Sequence, residues 1–270
     1  MMMIKVLLAG ESWISNSTHY KGFDSFNSVT FHTGHGPLVK ALTGSDIDLT
    51  FMPGHEVAEN FPSDLDSLNK FDVVIISDIG ANSLLLSAST WLSSQRQPDR
   101  LELLAEWTAS GGGLAMMGGY LSFQGIEGKA FYAGSAVERV LPVEISRFDD
   151  RVECPAGVRP VSILPTGRVD GPFSMPEGPW PHLLGYNKVT AKTGSQVLAE
   201  IGPDPLLVLG AVEQGRSAAW TSDISPHWCP DEFSSWDGYR TIFISLITWL
   251  AGSQEALASV PLMNKETTNV

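Results

Sequence analysis

The chain has 270 residues, and 30 acidic against 17 basic side chains leave it at a net charge of −13. That balance excludes the Lys/Arg footprint that nucleic acid requires and the basic segments that anionic membrane surfaces attract. Apolar residues make up 43% of the chain, enough for a sizeable core, and no apolar run reaches transmembrane length.

Residues 1–10 are too short for a signal peptide and read as a first strand, apolar and ending in Gly10. Glu11, Ser12 and Trp13 sit at its carboxyl end. Residues 18–35 show little periodicity and much Ser, Asn, Gly and His, which reads as a long loop of the kind that serves a site or a partner. Residues 37–42 read as a helix with Pro in its first turn. Residues 47–52 read as a strand stopped by Pro53-Gly54, 65–68 as a short helix, and 71–77 as an apolar strand ending at Asp78.

Residues 98–110 carry apolar side chains at helical spacing (Leu101, Leu104, Ala105), and Gly111 to Gly113 close that helix. A short apolar strand over 114–117 then runs into the corner Gly118-Gly119. Residues 130–140 read as a helix. From Val143 the texture changes to short alternating segments, with 165–181 rich in Pro and Gly and therefore loop. Residues 183–189, 196–201, 206–213 and 217–222 read as successive antiparallel strands, the last two joined by a turn at Gln214-Gly215-Arg216. Residues 239–250 form a closing apolar helix, and the tail from Ser253 reads as frayed.

Strands alternating with helices predict an α/β fold with a mostly parallel sheet. The second half adds a β-rich antiparallel insertion at about 143–213, within one domain over 3–252. Ligands bind such sheets outside the carboxyl ends of the strands. The loops selected are those at Glu11, at Pro53 to His55, at Asp78 to Asn82, at Gly118 to Gln124 and at Asp223 to Cys229. Gly111 to Gly113 precedes a strand instead of following one, so it is no dinucleotide fingerprint. The cofactor stays open, and no His or Cys pair has metal-ligand spacing, so no metal site is assigned. Two cysteines, Cys154 and Cys229, make no disulfide framework. The expectation is a cytoplasmic protein with free thiols.

The segment Gly113-Leu114-Ala115-Met116-Met117-Gly118-Gly119-Tyr120-Leu121-Ser122-Phe123-Gln124-Gly125 resembles the class I glutamine amidotransferase-like superfamily. So do Val140-Leu141-Pro142-Val143 and the late stretch from Arg216 to Trp228. More narrowly, the chain is similar to the superfamily's uncharacterised "putative glutamine amidotransferase" branch, near trehalose-utilisation-type proteins. The resemblance implies a flavodoxin-like three-layer fold. It also implies a Cys nucleophile at a strand-to-turn elbow and a late His-Pro-Glu pair. Here the elbow falls at Gly119-Tyr120 with no Cys near it, and the late segment offers Asp223 and His227 instead.

Asp223 and His227 are therefore the candidate base–orienter pair; the plainer alternative is that Asp223 only caps its turn. Ser122 is a candidate nucleophile if His227 reaches it, and Tyr120 a candidate proton donor or pocket wall. Glu11, His55, Asp78, Gly80, Gly119, Gln124 and Trp228 are expected to line a site for a small polar molecule. Gly80 and Gly119 amides are candidates for cradling an oxyanion. Loop tryptophans such as Trp13 fit a sugar or amino-acid pocket. Two rival readings stay open. One is a binding or assembly module without catalysis, a homo-oligomer joined through an apolar edge of the β-rich half. The other is a glutaminase using Cys229.

Overall fold

The computed structural model describes residues 3–163 and 173–252. β1 (Ile4–Gly10) is followed by a hairpin of β2 (Ser12–Lys21) and β3 (Asp24–Thr33), then α1 (Gly36–Leu42) and β4 (Ile47–Pro53). α2 (Gly54–Asn60) and α3 (Leu65–Leu68) lead to β5 (Val73–Ser77). α4 (Ala81–Leu85), α5 (Ala88–Ser93) and α6 (Arg100–Ala109) lead to β6 (Gly113–Met117). After α7 (Ala136–Val140) come β7 (Val143–Ile145), β8 (Arg151–Val158) and β9 (Pro160–Ser162). β10 (Leu183–Asn187), β11 (Val189–Ala191), β12 (Gln196–Ile201), β13 (Asp204–Val212) and β14 (Gly215–Trp220) follow, then α8 (Asp231–Ser234) and α9 (Asp237–Ala251).

One eight-stranded sheet has the order β4-β1-β5-β6-β14-β13-β12-β9. From β4 to β14 every neighbouring pair is parallel, and from β14 to β9 every pair is antiparallel. Separate two-stranded ladders join β8 to β10 and β7 to β11. This is the expected three-layer α/β architecture with its antiparallel extension. Period-two alternation divides the central strands between two cores. Val6, Leu8, Val73, Ile75, Ala115, Met117 and Trp220 face the layer of α1 and α9. Leu7, Ala9, Val74, Ile76, Leu114 and Met116 face the layer of α2, α4, α6 and α7.

Four sequence expectations change. Residues 18–35 are mostly hairpin, not loop: the arm is exposed on both faces, so no buried face imposes an alternation to read. The helix expected over 130–140 begins only at Ala136, where Ser135 caps it by accepting from Glu138 N. β14 is antiparallel to β13 but parallel to β6, so it belongs to the central sheet. The β13–β14 turn is Glu213-Gln214, with Val212 opposite Gly215. Gly215 is needed for packing, since a Cβ there would lie 1.9 Å from the Thr108 carbonyl oxygen. Part of the loop expected over 165–181, and the tail from 253, lie outside the described residues.

The Gly118-Gly119 corner is also a packing device. A Cβ on Gly118 would sit 2.2 Å from the Thr221 carbonyl oxygen, where the ends of β6 and β14 close on each other. Gly118→Ala is expected to cost about 1–3 kcal/mol as a lower urea midpoint. Gly36→Ala, with open space around it, should stay within about 0.5 kcal/mol of the parent. Equal midpoints for the two variants would remove this account.

Candidate functional site

The site forms where the chain leaves β1, β5, β6 and β14. The sheet's connections turn back on each other between β1 and β5, since β1 leads outward to β4 and β5 leads the other way to β6. That is the switch point at which such sheets bind ligands. Glu11 follows β1 and Asp78 follows β5, each with a left-handed backbone, φ 51° and 45°. Non-glycine residues hold such φ values only where the surroundings fix them. Here Glu11 N donates to the Ser77 carbonyl (2.9 Å), and Asp78 N donates to Ser122 Oγ (3.0 Å).

Glu11 is buried, with Ser77 Oγ and Ser225 Oγ each 2.5 Å from its carboxyl oxygens. Ser225 Oγ is also 3.3 Å from Asp223 Oδ1, so one hydroxyl links two acids. Burial, then the Asp223 charge, hold the Glu11 carboxyl well above its ordinary range, against the hydrogen bonds of the two serines. Burial, then Asp223, push Asp78 up to about 6, opposed by the Leu121 amide and by His227. Leu121 N donates to Asp78 Oδ1 at 2.7 Å.

His227 Nδ1 lies 3.2 Å from Asp223 Oδ2. With the proton on Nδ1, Asp223 orients the ring and Nε2 is left as a base. Trp228 stacks on His227 with ring centroids 5.0 Å apart, and Tyr120 meets the imidazole edge-on at 3.9 Å. The Arg151 guanidinium lies over the Tyr120 ring at 5.1 Å. Burial and neighbouring Glu153 push the Tyr120 phenol up. Glu153 also accepts from Trp228 Nε1 at 3.0 Å.

Together these groups border a cavity of about 510 Å³, lined chiefly by Trp13, Asp78, Tyr120, Asp223 and His227, with Leu121 and Ile126 on its apolar wall. No Lys or Arg lines it. Among the residues expected at the site, Asp78, Tyr120, Asp223 and His227 line this cavity, while Glu11 and Trp228 stand directly behind it. Ser122 is fully buried, and its oxygen accepts from the Asp78 amide. Gly119 does not cradle a ligand: its amide donates to Asn187 Oδ1 at 2.9 Å. Gly80 is the residue before α4, against Ala130. Gln124 is spent on Gly128 O and Ala133 N. His55 stands outside the cavity, edge-on to Phe31 of the hairpin. Cys229 is fully buried, and burial followed by the charges of Asp223 and Glu11 pushes its thiol well up, opposite to what a thiolate nucleophile needs. Among the described residues no group of three or more His, Cys, Asp or Glu side chains is placed to hold a metal ion.

Sequence reading did not find Arg151, Glu153, Asp150 or Asn187. Asn187 Nδ2 donates to Asp150 Oδ1 at 2.8 Å, and Asp150 accepts from Gln124 N and Gly125 N at 2.8 and 2.9 Å. This buried chain ties the β-rich half to the Gly118-Gly119 corner. No local pattern announces it, because its members meet only through the tertiary fold.

A family model described as "putative glutamine amidotransferase" matches residues 5–252. The chain belongs to this family. Among solved structures it is similar to the cytoplasmic protein STM1381 from Salmonella typhimurium LT2, with 43% identity and a TM-score of 0.85 over 92% of this chain and 99% of that one. It is similar to the cytoplasmic protein STM3548 from Salmonella typhimurium at 40% identity and a TM-score of 0.86, with the same coverage. A ThuA-like protein from Bacteroides uniformis shares the fold at 11% identity, with a TM-score of 0.53 over 92% of this chain and 91% of that one. Among curated proteins none matches. The family's elbow carries no Cys in this member: Tyr120 follows the two corner glycines.

The raised Asp78 carboxyl carries a stability consequence. The folded state binds this proton more tightly than the unfolded chain, so the contribution is present at low pH and is lost as pH rises from 3.8 to about 6. Asp78→Asn keeps an acceptor for Leu121 N and removes the charge. It should therefore unfold at higher denaturant than the parent at pH 8, by about 1–3 kcal/mol, with the gap closing near pH 4. A gap that does not depend on pH would refute the assignment.

Proposed function

We propose that the chain binds a small, uncharged, polyhydroxylated molecule of about sugar size at the strand ends and moves a proton on it. The observation that carries this reading is the placement of Asp78 and the His227–Asp223 pair on one cavity with aromatic walls. A carboxyl raised to about 6 keeps a protonated fraction close to neutral pH, and an imidazole held by Asp223 through Nδ1 can present Nε2 as a proton acceptor, the two roles that acid–base catalysis requires. Carboxylates with no facing cation disfavour anions. Hydroxyl groups suit carboxylate acceptors, and the C–H faces of a sugar ring suit Trp13 and Tyr120.

Glutamine hydrolysis through a thiolate is not supported, because the elbow has no Cys and Cys229 is sealed in a setting that disfavours its thiolate. The two Salmonella relatives are named cytoplasmic proteins, and no described helix is long and apolar enough to cross a membrane. We place this chain in the same compartment.

The test is a thermal-shift panel of neutral polyols and sugars, dicarboxylates and glutamine, on the parent, His227→Ala and Asp223→Asn. A neutral polyhydroxylated ligand should stabilise the parent by about 2.7 kcal/mol at a hundredfold excess over Kd. Either substitution should abolish most of that gain. Stabilisation by a dicarboxylate or glutamine but by no neutral compound would overturn the reading. So would a sugar response that survives both substitutions.

A further inference from the structure

The β2–β3 hairpin is left uncovered by the rest of the molecule. Its strands pair in unbroken register from Ser12 opposite Thr33 to Lys21 opposite Asp24, around a two-residue turn in which Gly22 takes φ 63°. Ten residues per strand make an arm about 34 Å long at about 3.4 Å per residue. It is a two-stranded sheet of its own with both edges unpaired. No residue of it belongs to either hydrophobic core. It is tied to the body at its base, where Ser12 Oγ accepts from Gly54 N at 2.7 Å and Phe31 meets His55 edge-on. A lone two-stranded hairpin is marginal in water unless something packs on it.

Cross-strand pairing sorts its side chains into two faces. One face carries Ile14 beside Phe31, Asn16 beside Val29, and Tyr20 near the tip. These apolar groups are 57%, 48%, 69% and 79% exposed for Ile14, Phe31, Val29 and Tyr20. The other face holds two stacked pairs, Trp13–His32 and His19–Phe26, separated by Ser and Thr residues. Seven of the seventeen large apolar side chains exposed among the described residues lie on this arm. Apolar surface gathered this way marks a contact site.

We propose that the arm joins two copies of this chain, the Ile14–Val29–Phe31–Tyr20 face of one arm packing on the same face of the other about a two-fold axis. Two observations select a second copy. The first is charge. At net −13 two copies repel over most of their surfaces, but the arm carries only Lys21 and Asp24, directly opposite each other, and so is neutral. A neutral apolar face is self-complementary, as a two-fold contact requires, and offers nothing to an acidic or basic partner. The second is size. The apolar face runs the whole arm, from Ile14 and Phe31 near the base to Tyr20 near the tip, and holds about half of the arm's residues, so two such faces packed together make a contact at the small, concentration-dependent end of protein interfaces.

The experiment is light-scattering mass measurement of the full chain over a dilution series, for the parent, Val29→Asp, Tyr20→Asp and, on the opposite face, Ser17→Asp. All three side chains are exposed, so circular dichroism should show the body intact in each variant. The expected result is a parent dimer, at least tenfold weaker association in Val29→Asp and Tyr20→Asp, and an unchanged dimer in Ser17→Asp. A parent that stays monomeric throughout overturns the proposal, as does an oligomer indifferent to both arm substitutions. Dissociation by Ser17→Asp to the same extent overturns the face assignment and the two-fold packing with it. Trp13 at the base of the arm also lines the cavity, but the residues substituted here lie further out on the arm and are not among the cavity's lining.

Discussion

Three carboxyl groups, Glu11, Asp78 and Asp223, reach one point from the ends of three different strands with no Lys or Arg lining the cavity beside them. Like charges at low effective dielectric cannot all be ionised, and the rest of the site follows from that constraint. Glu11 is buried, and that burial with the neighbouring Asp223 charge holds its carboxyl well above its ordinary range. Ser77 Oγ and Ser225 Oγ donate to its two oxygens, and Ser225 Oγ also lies 3.3 Å from Asp223 Oδ1, linking the two acids. The close approach of the strand ends depends on residues without a Cβ. A Cβ at Gly34 would lie 2.5 Å from the Glu11 carboxyl and from Ser225 Oγ, and one at Gly119 would lie 2.8 Å from the Asp78 carboxyl.

The antiparallel extension takes part in this arrangement. Arg151 and Glu153 on β8 flank Tyr120 and Trp228, and Asn187 at the end of β10 holds the Gly119 amide. Asp150 is buried and its carboxyl is raised by that burial, in spite of hydrogen bonds from Asn187, Gln124 and Gly125. A buried polar chain of this kind is costly to leave half satisfied. Its completeness fixes where the β-rich half sits on the parallel sheet, and with it the wall of the cavity.

Much of this was legible in the sequence, for local reasons. β1, β5 and β6 are short apolar runs closed by polar or glycine residues, and strands buried on both faces leave that signature wherever they occur. The rule that ligands bind at the carboxyl ends then picked out Asp78, Tyr120, Asp223 and His227, which the fold does bring to one cavity. The hairpin was not legible, because a sheet solvated on both faces has no apolar period to detect. The Asp150–Asn187 link was equally hidden: the two residues are 37 positions apart and meet through β8 and β10. Gln124 and His55 occupy the loops that the rule selects, but a loop position does not say which way a side chain turns. Gln124 turns inward to its own backbone and His55 turns toward the arm.

The Gly118-Gly119 corner shows why an elbow need not carry a nucleophile. In acyl transfer the turn after the central strand has two tasks, to present a nucleophile and to leave backbone amides free for the developing oxyanion. Here Gly119 N is committed to Asn187 and Leu121 N to Asp78. Ser122, the hydroxyl nearest the corner, is buried and accepts from Asp78 N. The Leu121 amide and the Ser122 hydroxyl instead hold Asp78, and the Gly119 amide holds Asn187. That allocation leaves neither of these amides nor the Ser122 hydroxyl free for covalent chemistry at the corner. Asp78 hydrogen-bonds to this turn through both its backbone and its carboxyl, and these contacts hold its left-handed backbone in place.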